Sequence, residues 1–67
     1  MPIIDITMVE SPRETKEQLV QELTSHAARI TGIEASHFTV TIKELGHDNI
    51  GVNGRTVRAI YADLAEH

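Results

Sequence analysis

The sequence holds no cysteine and no tryptophan, and its aromatics come down to one phenylalanine and one tyrosine. Without cysteine there is no disulfide and no thiolate metal site. Without large aromatic anchors, a small core loses its richest source of buried area. Positive charge is scarce as well: six Lys and Arg stand against ten Asp and Glu, a formal charge of −4, with no basic stripe interleaved with aromatics. That balance argues against nucleic acid as a partner. No apolar run approaches membrane-spanning length. The first residues lack the charged and apolar regions of a signal peptide. A soluble, cytoplasmic protein with no membrane partner is expected.

Sixty-seven residues make one domain at most, read here as 1–67. Domains this small usually add disulfides, a metal or partner subunits to bury enough surface. The first is excluded. The histidines at 26, 37, 47 and 67 have no ligand-like spacing, so neither a metal nor a cofactor is expected. Self-association is the remaining source of buried area.

Taken in order, Ile3 to Val9 reads as a strand, with Ile4, Ile6 and Met8 alternating with Asp5 and Thr7. Ser11-Pro12-Arg13-Glu14 then reads as a helix start. Ser11 is placed to cap, Pro12 suits the first helical position, and Glu14 is spaced to complete a capping box. Leu19, Leu23, Ala27 and Ile30 form the apolar stripe of a long helix that Gly32 ends with a left-handed cap, Ile33 folding back as its apolar contact. His37 to Leu45 reads as a second strand, with Phe38, Val40 and Ile42 on one face and Thr39, Thr41 and Lys43 on the other.

Strand, long helix, strand is a βαβ unit, so the fold class is α/β with two parallel strands and a right-handed crossover. One helix cannot cover both faces of such a sheet. The stretch 46–54 predicts a glycine-rich hairpin arm turning at Asn53-Gly54. Val57, Ile60, Tyr61 and Leu64 predict a short C-terminal helix capped by Thr56.

Pro2 is the first candidate for chemistry. A small residue after the initiator favours removal of Met1, leaving a secondary amine whose φ is fixed by its ring. Such an amine can act as a general base near neutral pH. The plain alternative is that Met-Pro is a common start with no chemical purpose. Arg13 stands in the first helical turn, against the macrodipole. It either binds a carboxylate bidentately or pairs with Glu17 on the surface. Lys43 either binds substrate or pairs with Glu44 or a neighbouring chain. Arg55 and Arg58 follow the hairpin, solvated by default. His47 reads as a polar loop residue, with Asp48 favouring the turn.

The order of parts resembles the tautomerase superfamily, specifically short members of the 4-oxalocrotonate tautomerase type. The residues that carry the likeness are Pro2 followed by Ile3-Ile4-Asp5-Ile6, Glu10 before the helix, the Leu19 to Gly32 stripe, Val40 to Glu44, and Gly51-Val52-Asn53-Gly54. The likeness runs over roughly residues 2 to 54, and the C-terminal helix extends beyond the family's usual tail. It implies a βαβ protomer, dimers sharing a four-stranded sheet, a hexamer of such dimers, an arm that reaches a neighbour, and the amino-terminal proline as base.

Three positions depart from the family pattern. The arginine at the helix entrance has only Arg13 as its nearest counterpart, behind a shorter loop. The arginine of the second strand falls at Thr39, where Lys43 is the candidate replacement. The aromatic of the hairpin falls at Ile50, which keeps an apolar wall without a ring. The resemblance therefore implies a cofactor-independent keto–enol tautomerase acting on a small enol or 2-oxo acid, with Pro2 catalytic and Arg13, Thr39, Lys43 and Ile50 around the substrate. The alternative is a non-catalytic oligomeric scaffold or binding module that keeps the fold. A dehalogenase or hydratase on the same fold would need polar residues that this chain lacks.

Overall fold

A computed structural model describes residues 1–65, so His67, one of the four histidines weighed above, lies outside the described residues. The order of elements is β1 (Ile3–Val9), α1 (Arg13–Thr31), a 3-10 turn (Ala35–His37), β2 (Thr39–Leu45), a second 3-10 turn (His47–Asn49), β3 (Gly51–Val52), β4 (Arg55–Thr56) and α2 (Val57–Ala65). β1 and β2 pair in parallel, with Ile3 beside Thr39, Asp5 beside Thr41 and Thr7 beside Lys43. The two families of side chains separate as the alternation predicts. Ile4, Ile6, Met8, Val40 and Ile42 are half-buried, while Ile3, Asp5, Thr7, Thr39, Thr41 and Lys43 lie exposed on the other face.

α1 ends as expected, at Gly32 with φ 75°, whose N–H donates to Ala28 O at 2.9 Å. A left-handed residue there favours glycine because a Cβ would crowd the carbonyl. The other end of α1 differs from the expected capping box. The flanking residue is Pro12 (φ −58°, ψ 153°), and no side chain caps the helix. The reason lies on the second strand. Glu44 Oε2 accepts the Ser11 N–H at 2.9 Å and its Oε1 accepts Lys16 Nζ at 2.8 Å, while the Ser11 hydroxyl turns back to Val9 O. A carboxylate from β2 therefore satisfies the loop that Ser11 and Glu14 were expected to satisfy locally.

The second strand also begins later than predicted. His37 closes the 3-10 turn, and Thr39 is the first residue in the ladder, its N–H bonded to Pro2 O at 3.1 Å. The hairpin forms as predicted: β3 and β4 pair antiparallel, and Asn53 (φ 52°) and Gly54 (φ 80°) both take the positive φ of a type I′ turn. The Thr56 hydroxyl accepts the Ala59 N–H at 3.2 Å and caps α2.

Burial is thin. Among the described residues only Val57 is buried, at 8% exposure. The chain spans 46 × 21 × 18 Å with a radius of gyration of 15.7 Å, against about 11 Å for a compact chain of this length. Its accessible surface is 5227 Å², whereas a compact protein of this mass has about 4,200 Å². The protomer is an open layer with a protruding arm and no closed core of its own. No helix among the described residues is long and apolar enough to cross a membrane.

Candidate functional site

Pro2 stands where the sheet begins. Its carbonyl takes the first interstrand hydrogen bond, from Thr39 N–H, so the residue is held in register with β2. Its nitrogen joins Met1, which is 87% exposed, and the Thr39 hydroxyl lies 3.8 Å from the Met1 sulfur. Thr39 is thus Pro2's neighbour across the strands, a contact visible in the register and not in the spacing. Large apolar side chains belong to this end of the chain: Ile3 on the open sheet face at the start of β1, Ile30 in the last turn of α1 and Ile33 just beyond it.

The other expected site residues lie elsewhere in the chain. Because α1 runs back along the sheet, Arg13 belongs to the end where the strands stop, about 20 Å from Pro2 at the rise of a parallel strand. Its side chain is 86% exposed and its Nε donates to Glu17 Oε1 at 3.1 Å, the surface pairing weighed as the alternative. Ile50 is half-buried at the root of the arm, where its carbonyl accepts the Val57 N–H at 2.8 Å. Lys43 lies near the end of β2 on the open sheet face and makes no ion pair among the described residues. Its expected partner Glu44 is taken by Lys16.

One cation at the Pro2 end was not among the candidates. Arg29 sits in the last turn of α1, exposed, with its guanidinium 3.3 Å from His26 Nδ1. The signal for it was topological: in a βαβ unit the end of the helix returns to the start of the first strand. The remaining arginines belong to the arm. Arg55 pairs with Asp63 and Arg58 with Asp48, each at 2.5 Å. The guanidinium of Arg58 holds the Asp48 carboxyl below its ordinary range. The Lys16 ammonium, then the Ser11 N–H, do the same for Glu44. The rings of His47 and Tyr61 meet at right angles, centroids 5.1 Å apart, and so tie the 3-10 turn to α2.

Two shallow hollows of about 360 and 320 Å³ flank α1, one along Arg13, Lys16, Glu17, Val20 and Gln21, the other along Thr15, Gln18, Leu19 and Glu22. Neither includes Pro2. Among the described residues no group of three or more His, Asp or Glu is gathered to hold a metal ion.

The arrangement is that of one end with an amine candidate and apolar surroundings, and another end with most of the cations. Known structures share this arrangement of elements. TomN, described as a 4-oxalocrotonate tautomerase homologue in the tomaymycin biosynthetic pathway, superposes with a TM-score of 0.87 at 26% identity, over 91% of this chain and 95% of that one. DmpI from Archaeoglobus fulgidus is 32% identical over 85% of this chain and 98% of its own, with a TM-score of 0.79. A heterohexamer 4-oxalocrotonate tautomerase from Chloroflexus aurantiacus J-10-fl matches at 25% identity over 87% and 95%, with a TM-score of 0.82. Among curated protein sequences, none matches the chain. The family profile described as Tautomerase enzyme covers residues 2–60, beginning at Pro2 and running through the arm into α2. With the parallel pair, the crossover helix and the hairpin all in place beneath that match, the chain belongs to the tautomerase family.

Proposed function

We propose that this protein is a cofactor-independent keto–enol tautomerase of small enol or 2-oxo acids, with the amine of Pro2 as general base once Met1 is removed. The observation that carries the reading is the family match that begins at Pro2, together with the position of Pro2 at the open, apolar start of the sheet.

An unperturbed α-amino group has a pKa of about 7.7–8.0, so at pH 7 only about a sixth of it is neutral and basic. Apolar surroundings disfavour its charged form and enlarge that fraction. The neutral amine takes the proton of an enol hydroxyl as the C–O bond becomes a carbonyl. The electron pair of the carbon–carbon double bond then collects that proton at carbon. In the reverse direction the amine removes the α-proton and the carbonyl oxygen gains one. Thr39 holds the Pro2 carbonyl, so the ring nitrogen is presented from a fixed backbone. The same neutral amine is also a nucleophile toward aldehydes and ketones, which makes carbonyl side reactions an accompanying property.

A substrate carboxylate calls for a cation, and Arg13 lies too far from Pro2 of its own chain to supply it. The protein therefore works as an assembly of copies, a hexamer in this proposal, with Arg13 of one chain entering the site of another. The open sheet, the excess surface and the Chloroflexus relative described as a heterohexamer support this. Lys43, on the uncovered sheet face, is a second candidate cation.

The test is the intact mass followed by ketonisation of phenylenolpyruvate, a simple enolpyruvate. Pro2→Ala should lower the rate by about 10²–10⁴-fold without changing the assembled mass. An unchanged rate removes Pro2 as the base. A second reading, a non-catalytic scaffold, draws support from Thr39 and Ile50 at positions where the family carries an arginine and an aromatic. Met1 retained on the purified protein would favour it, because the Pro2 nitrogen is then an amide with no basicity.

A further inference from the structure

The reaction proposed above passes through an enolate. Once the amine has taken the enol proton, and until carbon is protonated, the substrate oxygen carries negative charge. A site gains most from a fixed hydrogen-bond donor aimed at that oxygen. Arg13 is taken up by the carboxylate in that reading, which leaves the oxygen to donors at the Pro2 end itself.

Of the histidines among the described residues, His26 meets Arg29 and His47 meets Tyr61. His37 is exposed and makes no ion pair among the described residues. Its backbone is held in place. Its N–H donates to Glu34 O at 3.0 Å, closing the 3-10 turn, and the Phe38 N–H follows to Ala35 O at 3.1 Å. Phe38 is extended (φ −88°, ψ 142°) and half-buried. Side chains alternate along extended backbone, so His37 and Thr39 fall on one side and Phe38 on the other, with the Cα atoms of the outer two about 7 Å apart. Thr39 marks which side this is. Its hydroxyl lies 3.8 Å from the sulfur of Met1, the residue bonded to the Pro2 nitrogen. The imidazole and the hydroxyl therefore stand on the side that Met1 occupies and that its removal opens.

We infer that His37, with Thr39 beside it, donates a hydrogen bond to the enolate oxygen of the substrate at Pro2. The inference rests on Pro2 as base. A neutral imidazole carries one N–H and an imidazolium two, so the ring offers a donor in either form. No bond to His37 is made or broken: the amine carries the proton between oxygen and carbon, and the ring holds the oxygen meanwhile. Charge on the open face sets the direction. One step beyond Thr39, Asp5 presents a carboxylate that accepts the Thr41 hydroxyl. A negative oxygen is repelled on that side and accepted on the side of His37.

The experiment is ketonisation of phenylenolpyruvate by variants whose assembled mass is verified by sedimentation. His37→Phe keeps a planar ring and loses the N–H. Its kcat should fall by about 10²-fold, the worth of one oxyanion donor, with KM little changed. His37→Asn returns a side-chain N–H and should recover part of that loss. Should His37→Phe lose the assembled mass, His37→Ala takes its place.

A kcat near that of the parent in His37→Phe overturns the inference. So does a rise in KM alone, which marks a contact equally strong before and during the reaction, and so does His37→Asn no faster than His37→Phe. Pro2→Ala keeps the two failures apart. If it is inactive while His37→Phe is not, only the role of His37 falls. If Pro2→Ala is itself fully active, Pro2 is not the base and the role of His37 falls with it.

Discussion

Where β1 and β2 begin, the exposed large apolar side chains are Met1, Ile3, Ile30 and Ile33, with Arg29 as the one Lys or Arg. Where the strands stop, the chain gathers Arg13, Lys16, Lys43, Arg55 and Arg58, and all but Lys43 face a carboxylate. The first end offers what a neutral amine needs and little that a carboxylate substrate needs. The second end offers the reverse. Neither is a site alone. On the proposed reading, a chain so divided would gain function by bringing unlike ends together between copies, and the same contacts would supply the burial that the single protomer lacks.

The comparison can be broken most forcefully at Val57, the residue that anchors the arm. Val57→Ala removes buried methyl groups and leaves a cavity, at a cost of about 2 kcal/mol. Urea unfolding should register the loss. Hydrogen exchange should show the Val57 amide freed from Ile50 O while the amides of α1 keep their protection. Equal loosening of α1 would mean that the two ends are one cooperative unit.

Next in size is the question of which end supplies the cation. Arg13→Ala should raise KM for a monocarboxylate enol by about tenfold or more, the worth of a hydrogen bond to a charged group, with kcat little changed. Arg29→Ala should leave KM near its parental value. The opposite result would place base and cation at the same end of one chain and dissolve the comparison.

The smallest effect concerns acid. The Lys16 ammonium and the Ser11 N–H hold Glu44 below its ordinary carboxyl range, and Arg58 does the same for Asp48. A carboxyl depressed in the folded state contributes its full stability above its unfolded pKa, about 4 for these groups, and loses it as pH falls through the lower folded value. Unfolding midpoints should therefore decline as pH drops below about 4, and Glu44→Gln should flatten part of that slope. Because both pairs belong to the cation-rich end, the arm and the start of α1 should loosen in acid before the Pro2 end does.

Local rules made much of this legible. The helix 13–31, the left-handed Gly32 and the Asn53-Gly54 turn each depend on residues within a few positions of one another, and each forms as expected, with Leu19, Leu23 and Ala27 half-buried and Ile30 left exposed. Two of the three misses, Ser11 and Arg29, have the opposite character. Ser11 fails to cap because its hydroxyl turns back to Val9 O, and Glu44, 33 residues away, takes the amide that Glu14 was expected to hold. His37 leaves the strand because the connection closes a 3-10 turn before the ladder opens at Thr39. Arg29 looked like one polar residue among several on a helix, and only the direction of that helix brings it to the Pro2 end. Pro2 was legible by type and position. What surrounds it was not, since a single sequence carries no direct record of which copy of itself stands opposite.

Met1 is 87% exposed in the single chain, and the carbonyl of the next residue is already locked into the sheet. In an assembly of copies such as that proposed above, that same end would lie against another chain. The consequence would be an order of events during biosynthesis: an initiator residue that is to leave would have to be cut away while the chain is still alone, because docking would hide the bond from the protease. Protein made faster than it is trimmed should then sort into two populations. Trimmed chains should be found in assemblies and untrimmed ones should linger as smaller species, a difference that intact-mass analysis of sized fractions can read directly.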